Sequence, residues 1–469
     1  MENFYILSNN TTIITMPNCD NKSLLKEIWH NATFKVNKLK INETDELKIS
    51  IGNAEFISLN DGDEYTIKIT ENGVGILGKD KNSLMRGFMA LIIRFIAKVI
   101  NGKCCATLPM GEVIGNFSIK NRFAQLCVFP EYDFNYIRKM ARYLCALQYT
   151  HIVVDIWGMY RFKSLKELGW KKSFTKKQIQ TIISEIRALG TEPVPLFNSL
   201  GHAFYSRGCT GKHVVLDQNP KLAYMFTPDG WAWDIQNQKV INKLKEIRQE
   251  LYELFGSGEY FIVGCDECEI YTKGYAPENT VLTYLNNLTT EIVNEGRTPI
   301  MWADLMLYRP DIKEYESRVW SANARSKNQA EKFLNSIHKN TILADWQYQF
   351  ASKSPCEQYT AIDLKNKGFN VLACSFFDKN VVSSSIKTVK EHNLFGYMQT
   401  IWDRIHELPW VFVDSAIFCG MPTNLWYEFG ECSSIISGSI LRKVRCGKKN
   451  YENYGFIDKQ FLKNSRPSN

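Results

Sequence analysis

Apolar positions change their period near residue 115. Before it they recur at every second residue in short runs, Leu47 to Ile51, Tyr65-Thr-Ile-Lys-Ile69 after the Asp61-Gly62 turn, and Gly73-Val-Gly-Ile-Leu77. Alternation of this kind puts all apolar side chains on one side of a strand. A single amphipathic helix is expected next, from Ser83 to about Ile100, and residues 1–115 read as a small α+β domain.

From residue 116 to 442 strand-length apolar runs alternate with helical spacing. The strands expected are Phe123 to Phe129, His151 to Asp155, Pro193 to Phe197, Tyr260 to Gly264, Pro299 to Trp302, Thr341 to Trp346, Val371 to Ser375 and Gly396 to Ile401. Between them, sets such as Ile137, Met140, Ala141 and Leu144, or Ile179, Ile182, Ile183 and Ile186, trace one helix face. The helix carrying the second set opens on a capping box, Thr175-Lys-Lys-Gln178, and closes at Gly190. Strands apolar on both faces, each followed by a helix, predict an α/β fold, a (β/α)8 TIM barrel; a doubly wound open sheet is the structural alternative. Residues 443–469 form a basic C-terminal extension.

Composition narrows the class. The 469 residues accommodate one barrel of about 250 residues and a companion. With 45% hydrophobic residues, 28 Gly and 14 Pro, a disordered or collagen-like chain is excluded. The net charge of +8 is spread thinly, with short clusters at Lys171-Lys172, Lys176-Lys177 and Arg442 to Lys449, so a solvated surface is expected and no nucleic-acid partner. Thirteen irregularly spaced cysteines fit a reducing compartment. The stretch Leu84 to Ile100 is interrupted by Arg86, Arg94 and Lys98, and Met1-Glu-Asn-Phe-Tyr lacks a basic start followed by an apolar run. A soluble cytoplasmic protein with no membrane partner is therefore expected.

In such a barrel the chemistry collects where strands end and the following loops begin. The residues there are Asp155 and Trp157; Asn198 with Gly201-His202; Asp266-Glu267; Trp302 and Asp304; Asp345-Trp346 with Tyr348; and Trp402-Asp403. Carboxylates and indoles on one face suit a sugar, whose apolar ring face stacks on aromatics while acids handle hydroxyls and protons. The sharpest segment is Phe261-Ile-Val-Gly-Cys-Asp-Glu-Cys268, an apolar strand running into two acids. Neighbours on a strand point to opposite sides, so the two cannot face one another unless the backbone bends. One acid would donate a proton and the other orient a substrate group, and apolar surroundings are expected around Glu267.

The segment Ile262-Val-Gly-Cys-Asp-Glu267 resembles the His-x-Gly-Gly-Asp-Glu hallmark of the family 20 glycoside hydrolases, the β-N-acetylhexosaminidases, in a Gly-Cys-Asp-Glu form that looks like the hexosaminidase D branch. Val194-Pro-Leu-Phe-Asn-Ser-Leu-Gly201-His202 is similar to the family's Pro-Gly-His strand end, His151 to Asp155 to its second-strand aspartate segment, and Leu84-Met-Arg-Gly-Phe to its companion domain. The resemblance implies an exo-acting enzyme on terminal N-acetylhexosaminides, in which the substrate's own 2-acetamido oxygen attacks the anomeric carbon. It implies Glu267 as general acid/base, Asp266 on the acetamido N–H, Tyr348 donating to the acetamido oxygen, and His202 with Asp155 supporting the acid. Trp302, Trp346 and Trp402 would wall the pocket, and Asp304 and Asp403 would meet the substrate. A small carbohydrate is the partner implied, with no metal and no cofactor.

Two departures stand out. The family's hydroxyl-binding arginine on the first barrel strand is replaced by Pro130 in Arg122-Phe-Ala-Gln-Leu-Cys-Val-Phe-Pro130, Arg122 reading as structural, and the hallmark His is Ile262. A catalytically weakened carbohydrate sensor or scaffold is thus the alternative from the binding class. Cys265-Asp-Glu-Cys268 is formally a Cys-x-x-Cys motif, open to a redox or metal reading. A conventional two-carboxylate glycosidase would pair Glu267 with Asp304.

Overall fold

The computed structural model describes residues 4–7, 10–129, 132–156, 158–170, 172–203, 215–216, 219–268, 270–271, 273–308, 321–402, 408–425 and 432–446. Pro130, Trp157, Asp403 and most of the C-terminal extension lie outside the described residues.

The N-terminal unit contains β1 (Phe4–Ile6), β2 (Thr11–Pro17), α1 (Lys22–Ala32), β3 (Lys38–Thr44), β4 (Lys48–Gly52), β5 (Tyr65–Ile69), β6 (Gly73–Gly78), α2 (Lys81–Arg94), β7 (Ile96–Ile100), β8 (Lys103–Pro109) and β9 (Gly111–Gly115). Six strands form a sheet in the order β3-β2-β4-β6-β5-β9, and a second sheet runs β1-β8-β7. Asp80 caps α2 by accepting from the Ser83 N–H at 2.7 Å.

The helix expected through Ile100 stops at Arg94. Phe95 is extended (φ −60°, ψ 135°), and Ile96–Ile100 pairs antiparallel with β8. Asn101 and Gly102 turn the hairpin at φ +49° and +74°. Asn-Gly is the pair a tight two-residue hairpin demands, and β-branched residues around it favour the strand. Side chains then alternate, with Ile96 buried and Val99 77% exposed.

Eight parallel strands follow, β10 (Asn121–Cys127), β11 (His151–Asp155), β12 (Glu192–Leu196), β13 (Tyr260–Gly264), β14 (Thr298–Trp302), β15 (Ile342–Asp345), β16 (Asn370–Ser375) and β17 (Gly396–Gln399). They pair in sequence order, and β17 returns to β10, so the sheet is a closed barrel and the open-sheet alternative falls. Among the described residues each strand is followed by a helix: α3 (Phe134–Ala146), α4 (Lys176–Ala188), α5 (Gln238–Phe255), α6 (Glu278–Asn294), α7 (Lys327–Ser336), α8 (Tyr359–Asn366), α9 (Lys379–Glu391) and α10 (Pro409–Phe418). A further helix, α11 (Ser433–Lys443), packs on α10. The capping box of α4 forms in full. Inside, Phe123, Val153, Ile262, Ile300, Leu372 and Met398 are buried in one cluster, so the barrel is a packed core. Among the described residues no helix is long and apolar enough to cross a membrane.

The barrel is joined to the N-terminal unit by a buried ionic cluster. Arg122, at the start of β10, sets Nη1 2.9 Å from Glu64 Oε1 and lies over the Phe117 ring at 3.7 Å. Arg86 on α2 pairs with the same carboxylate at 2.8 Å and donates to the Gly190 carbonyl at 2.6 Å. Burial alone would raise the Glu64 carboxyl, but the two guanidiniums outweigh it and hold it below its usual range. Arg122 is therefore structural, and sits at the strand start, the opposite end of the barrel from the strand-end acids.

Candidate active site

The end of β13 breaks the strand rule on which the two acids would diverge. Its pairing with β14 shifts register between Ile262 and Gly264, and Gly264, Cys265 and Glu267 all take positive φ (+70°, +71° and +46°). Gly264 is required here, because a Cβ would come within 2.4 Å of Asn198 Oδ1. At Cys265 and Glu267 the left-handed backbone is strained and must be held by its neighbours. The turn brings both carboxylates to one imidazole: His202 Nε2 lies 3.0 Å from Glu267 Oε2 and 3.4 Å from Asp266 Oδ2.

His202 arrives from the loop after β12, itself at φ +53°. The preceding Gly201 allows that loop to close on the acids, since a Cβ there would meet the Asp266 carbonyl oxygen at 2.4 Å. Asn198, at the same strand end, donates to the His202 carbonyl at 3.4 Å. Trp231, which sequence reasoning missed, lies against His202 with ring centroids 4.5 Å apart and donates its indole N–H to the Glu267 carbonyl at 2.8 Å. Its only advance signal was the aromatic pair Trp231-Ala-Trp233 after Pro228-Asp-Gly230.

The electrostatics follow from this packing. Burial disfavours a charged His202, yet Asp266, the hydrogen bond and charge of Glu267, and Asp304 outweigh it and lift the imidazole to about 9. His202 is a cation at neutral pH. Asp266 is raised, chiefly by burial and further by the Glu267 charge, with His202 pulling the other way. The Glu267 side chain is 46% exposed, so the apolar surroundings expected for it are not found; it stands at the open side of the cluster.

Asp304 does not meet the substrate as expected. It is wholly buried behind Glu267, where Oδ2 accepts the Glu267 backbone N–H at 2.9 Å and Asn323 Nδ2 at 2.7 Å, and Oδ1 accepts the Trp346 indole N–H at 3.3 Å. Burial and the Asp266 charge push its carboxyl up to about 7 against these three donors. With both oxygens engaged beneath the acid's backbone, Asp304 cannot face Glu267 as the nucleophile of a two-carboxylate site. Asp345 likewise turns away, its oxygens taken by Gln347, Gln358 and Thr360. Asp155 is buried at the C-terminal end of β11, on the same end of the barrel.

The aromatic residues do converge. Trp302 and Trp402 pack with centroids 5.6 Å apart, and Tyr348 touches Trp346 (5.5 Å) and Phe376 (5.6 Å). The Trp402 indole N–H donates to the Tyr348 hydroxyl at 2.8 Å, and Thr400 Oγ1 lies 3.0 Å from it. Burial pushes the Tyr348 phenol well above its usual range, so it remains a protonated donor. Trp302 Nε1 is buried with no partner among the described residues.

Cys265 and Cys268 are both buried, and burial pushes their thiols up, Cys268 to about 12. Neither is the thiolate a redox Cys-x-x-Cys needs. Among the described residues no group of three or more His, Cys, Asp or Glu could hold a metal ion.

Residues 154–431 match the sequence profile of the glycosyl hydrolase family 20 catalytic domain. The chain belongs to this family. It is thus a glycoside hydrolase, and its match begins one strand into the barrel, leaving β10 and the stretch with Pro130 outside. No curated protein sequence matches the chain significantly. Among solved structures, it is similar to the Flavobacterium johnsoniae chitobiase (TM-score 0.62, 14% identity, covering 95% of this chain and 70% of that one). It is also similar to the β-N-acetylhexosaminidase of Streptomyces coelicolor (0.62, 12%, 94% and 94%) and to a mutant Streptomyces plicatus β-hexosaminidase in complex with its product GlcNAc (0.61, 11%, 94% and 93%). At these identities the likeness is one of fold.

Proposed function

We propose that the protein is an exo-acting β-N-acetylhexosaminidase, cleaving terminal β-linked N-acetylhexosamine (GlcNAc or GalNAc) by substrate-assisted catalysis with retention. The observation that carries this reading is the turn after Gly264, which sets Asp266 and Glu267 together on His202 beside the Trp302, Trp346, Trp402 and Tyr348 walls. Family membership supports it. So does the GlcNAc bound to the Streptomyces plicatus relative, which points to a small carbohydrate substrate here.

In the first step the acetamido carbonyl oxygen attacks the anomeric carbon while Glu267 gives its proton to the departing glycosidic oxygen. Asp266, whose Oδ1 is buried without a partner among the described residues, accepts the acetamido N–H and stabilises the positive charge of the oxazolinium. Tyr348 hydrogen-bonds through its O–H to the acetamido oxygen, because the Trp402 N–H already occupies a lone pair of the phenol. In the second step Glu267, now a carboxylate, takes a proton from water, whose oxygen bonds to the anomeric carbon from the face the aglycone left, breaks the oxazolinium C–O bond on the opposite face and restores the β-anomer. The proton taken from water returns Glu267 to its starting acid form, and His202 Nε2, 3.0 Å from Glu267 Oε2, holds the carboxyl in place through the cycle.

The test compares a 2-acetamido aryl glycoside with its 2-hydroxy analogue, in wild type and in Glu267→Gln. Turnover of the acetamido sugar alone, lost in the variant, is expected. Equal turnover of both sugars excludes substrate assistance, and tight binding without turnover identifies a sensor.

A further inference from the structure

We infer that Asp304 is a positioning residue, whose buried carboxylate clamps the Glu267 backbone so that the acid is aimed at the bond it protonates. This rests on the reading of Glu267 as the general acid.

Glu267 is held by its backbone from both sides. Its N–H is given to Asp304 Oδ2 at 2.9 Å and its carbonyl receives the Trp231 indole at 2.8 Å, while only the side chain remains to the His202 side of the turn. The φ of +46° is not one that a glutamate adopts unaided, so the grip decides where the carboxyl points. Displacing a catalytic group by about 1 Å costs roughly 100-fold in rate.

The surroundings of Asp304 suit a carboxyl group better than an amide. Among the described residues the three groups that meet its oxygens are donors: Glu267 N–H, Asn323 Nδ2 and Trp346 Nε1. An asparagine would turn its own NH2 toward one of them and leave a donor unpaired in a dry site. The Asn323 backbone N–H also binds the Asp304 carbonyl at 2.8 Å, so loop and carboxylate are fixed together. Because Trp346 shares the carboxylate, the acid and one pocket wall are registered to the same atom pair. Asp304 itself is 0% exposed, so it acts on the reaction through Glu267.

The full chain is assayed with two aryl N-acetyl-β-hexosaminides, one with a nitrophenyl leaving group that departs with little protonation and one with an unsubstituted phenyl group that depends on it. The ratio of kcat/KM between them reports proton donation in the bond-breaking step. Asp304→Asn is expected to lose about 100-fold on the phenyl glycoside and far less on the nitrophenyl one. Asn323→Ala, in a partly exposed loop, is expected to show the same bias at about a tenth of that size, and serves if the buried variant does not fold. Equal losses on both substrates in the Asp304 and Asn323 variants, with the bias present in Glu267→Gln, overturn the proposal. Absence of the bias in Glu267→Gln overturns instead the reading of Glu267 on which it stands.

Discussion

His202 and Glu267, 65 positions apart in sequence, meet at 3.0 Å through Nε2 and Oε2. That contact makes a histidine the positive centre of a carboxylate site. His202→Gln is expected to lower kcat by about 100-fold or more, the range for a group that shares a transferring proton, with KM changed little; steady-state kinetics on a nitrophenyl glycoside decide it. The imidazole is raised from 6.5 to about 9 on folding. Its contribution to stability is therefore complete below about pH 6.5 and lost as pH rises through 9. Melting curves across that window should converge for wild type and variant at the alkaline end.

Tyr348→Phe removes one donor and leaves the Trp402 indole without its acceptor. A fall in kcat of about 100- to 1,000-fold is expected, the size found on deleting one preorganised donor to a developing charge. Product affinity, read by calorimetry with GlcNAc, should change far less. Equal losses in both would make Tyr348 a wall and not a donor.

Glu64→Gln should destabilise without touching chemistry. It strips the shared partner from two buried guanidiniums, a change of about 3–5 kcal/mol by the usual cost of breaking a buried pair. Activity per folded molecule should be retained, since the cluster lies at the other end of the barrel. In wild type the Glu64 carboxyl is depressed on folding, so its stabilisation is present above its ordinary value of 4.5 and lost as pH falls through the depressed one. Acid titration of the melting temperature, compared between the two proteins, tests this.

Cys265→Ser with Cys268→Ser should leave hydrolysis in place, because both thiols are buried and protonated. A loss of some stability is expected from putting hydroxyls where sulfur sits dry, and thermal melting measures it.

The barrel was legible because its strands are mostly apolar runs with acids, amides, a histidine or indoles at or just beyond their ends, a pattern that survives without any knowledge of contacts. The acids, His202 and the three indoles were found by that rule. What escaped it depended on backbone turns and on side-chain direction. The bend at Gly264 reverses the alternation on which Asp266 and Glu267 would part, and no spacing reveals a glutamate at φ +46°. Asp304 lies at a strand end like the others, and only its three donors show that it supports the acid from behind. Trp231 sits in an irregular turn ahead of α5, where periodicity carries nothing. The β7 hairpin was visible in Asn101-Gly102 but hidden by the apolar run before it.

Helix α2 has no wet side from Ser83 to Arg94. A helix so placed belongs to neither neighbour alone: one flank is the inner wall of the N-terminal sheet, another faces α3 of the barrel. Heating or denaturant cannot release one unit without flooding the other's interior, so the chain should melt in a single cooperative transition. Excising the first 115 residues would then yield aggregate, and no smaller enzyme.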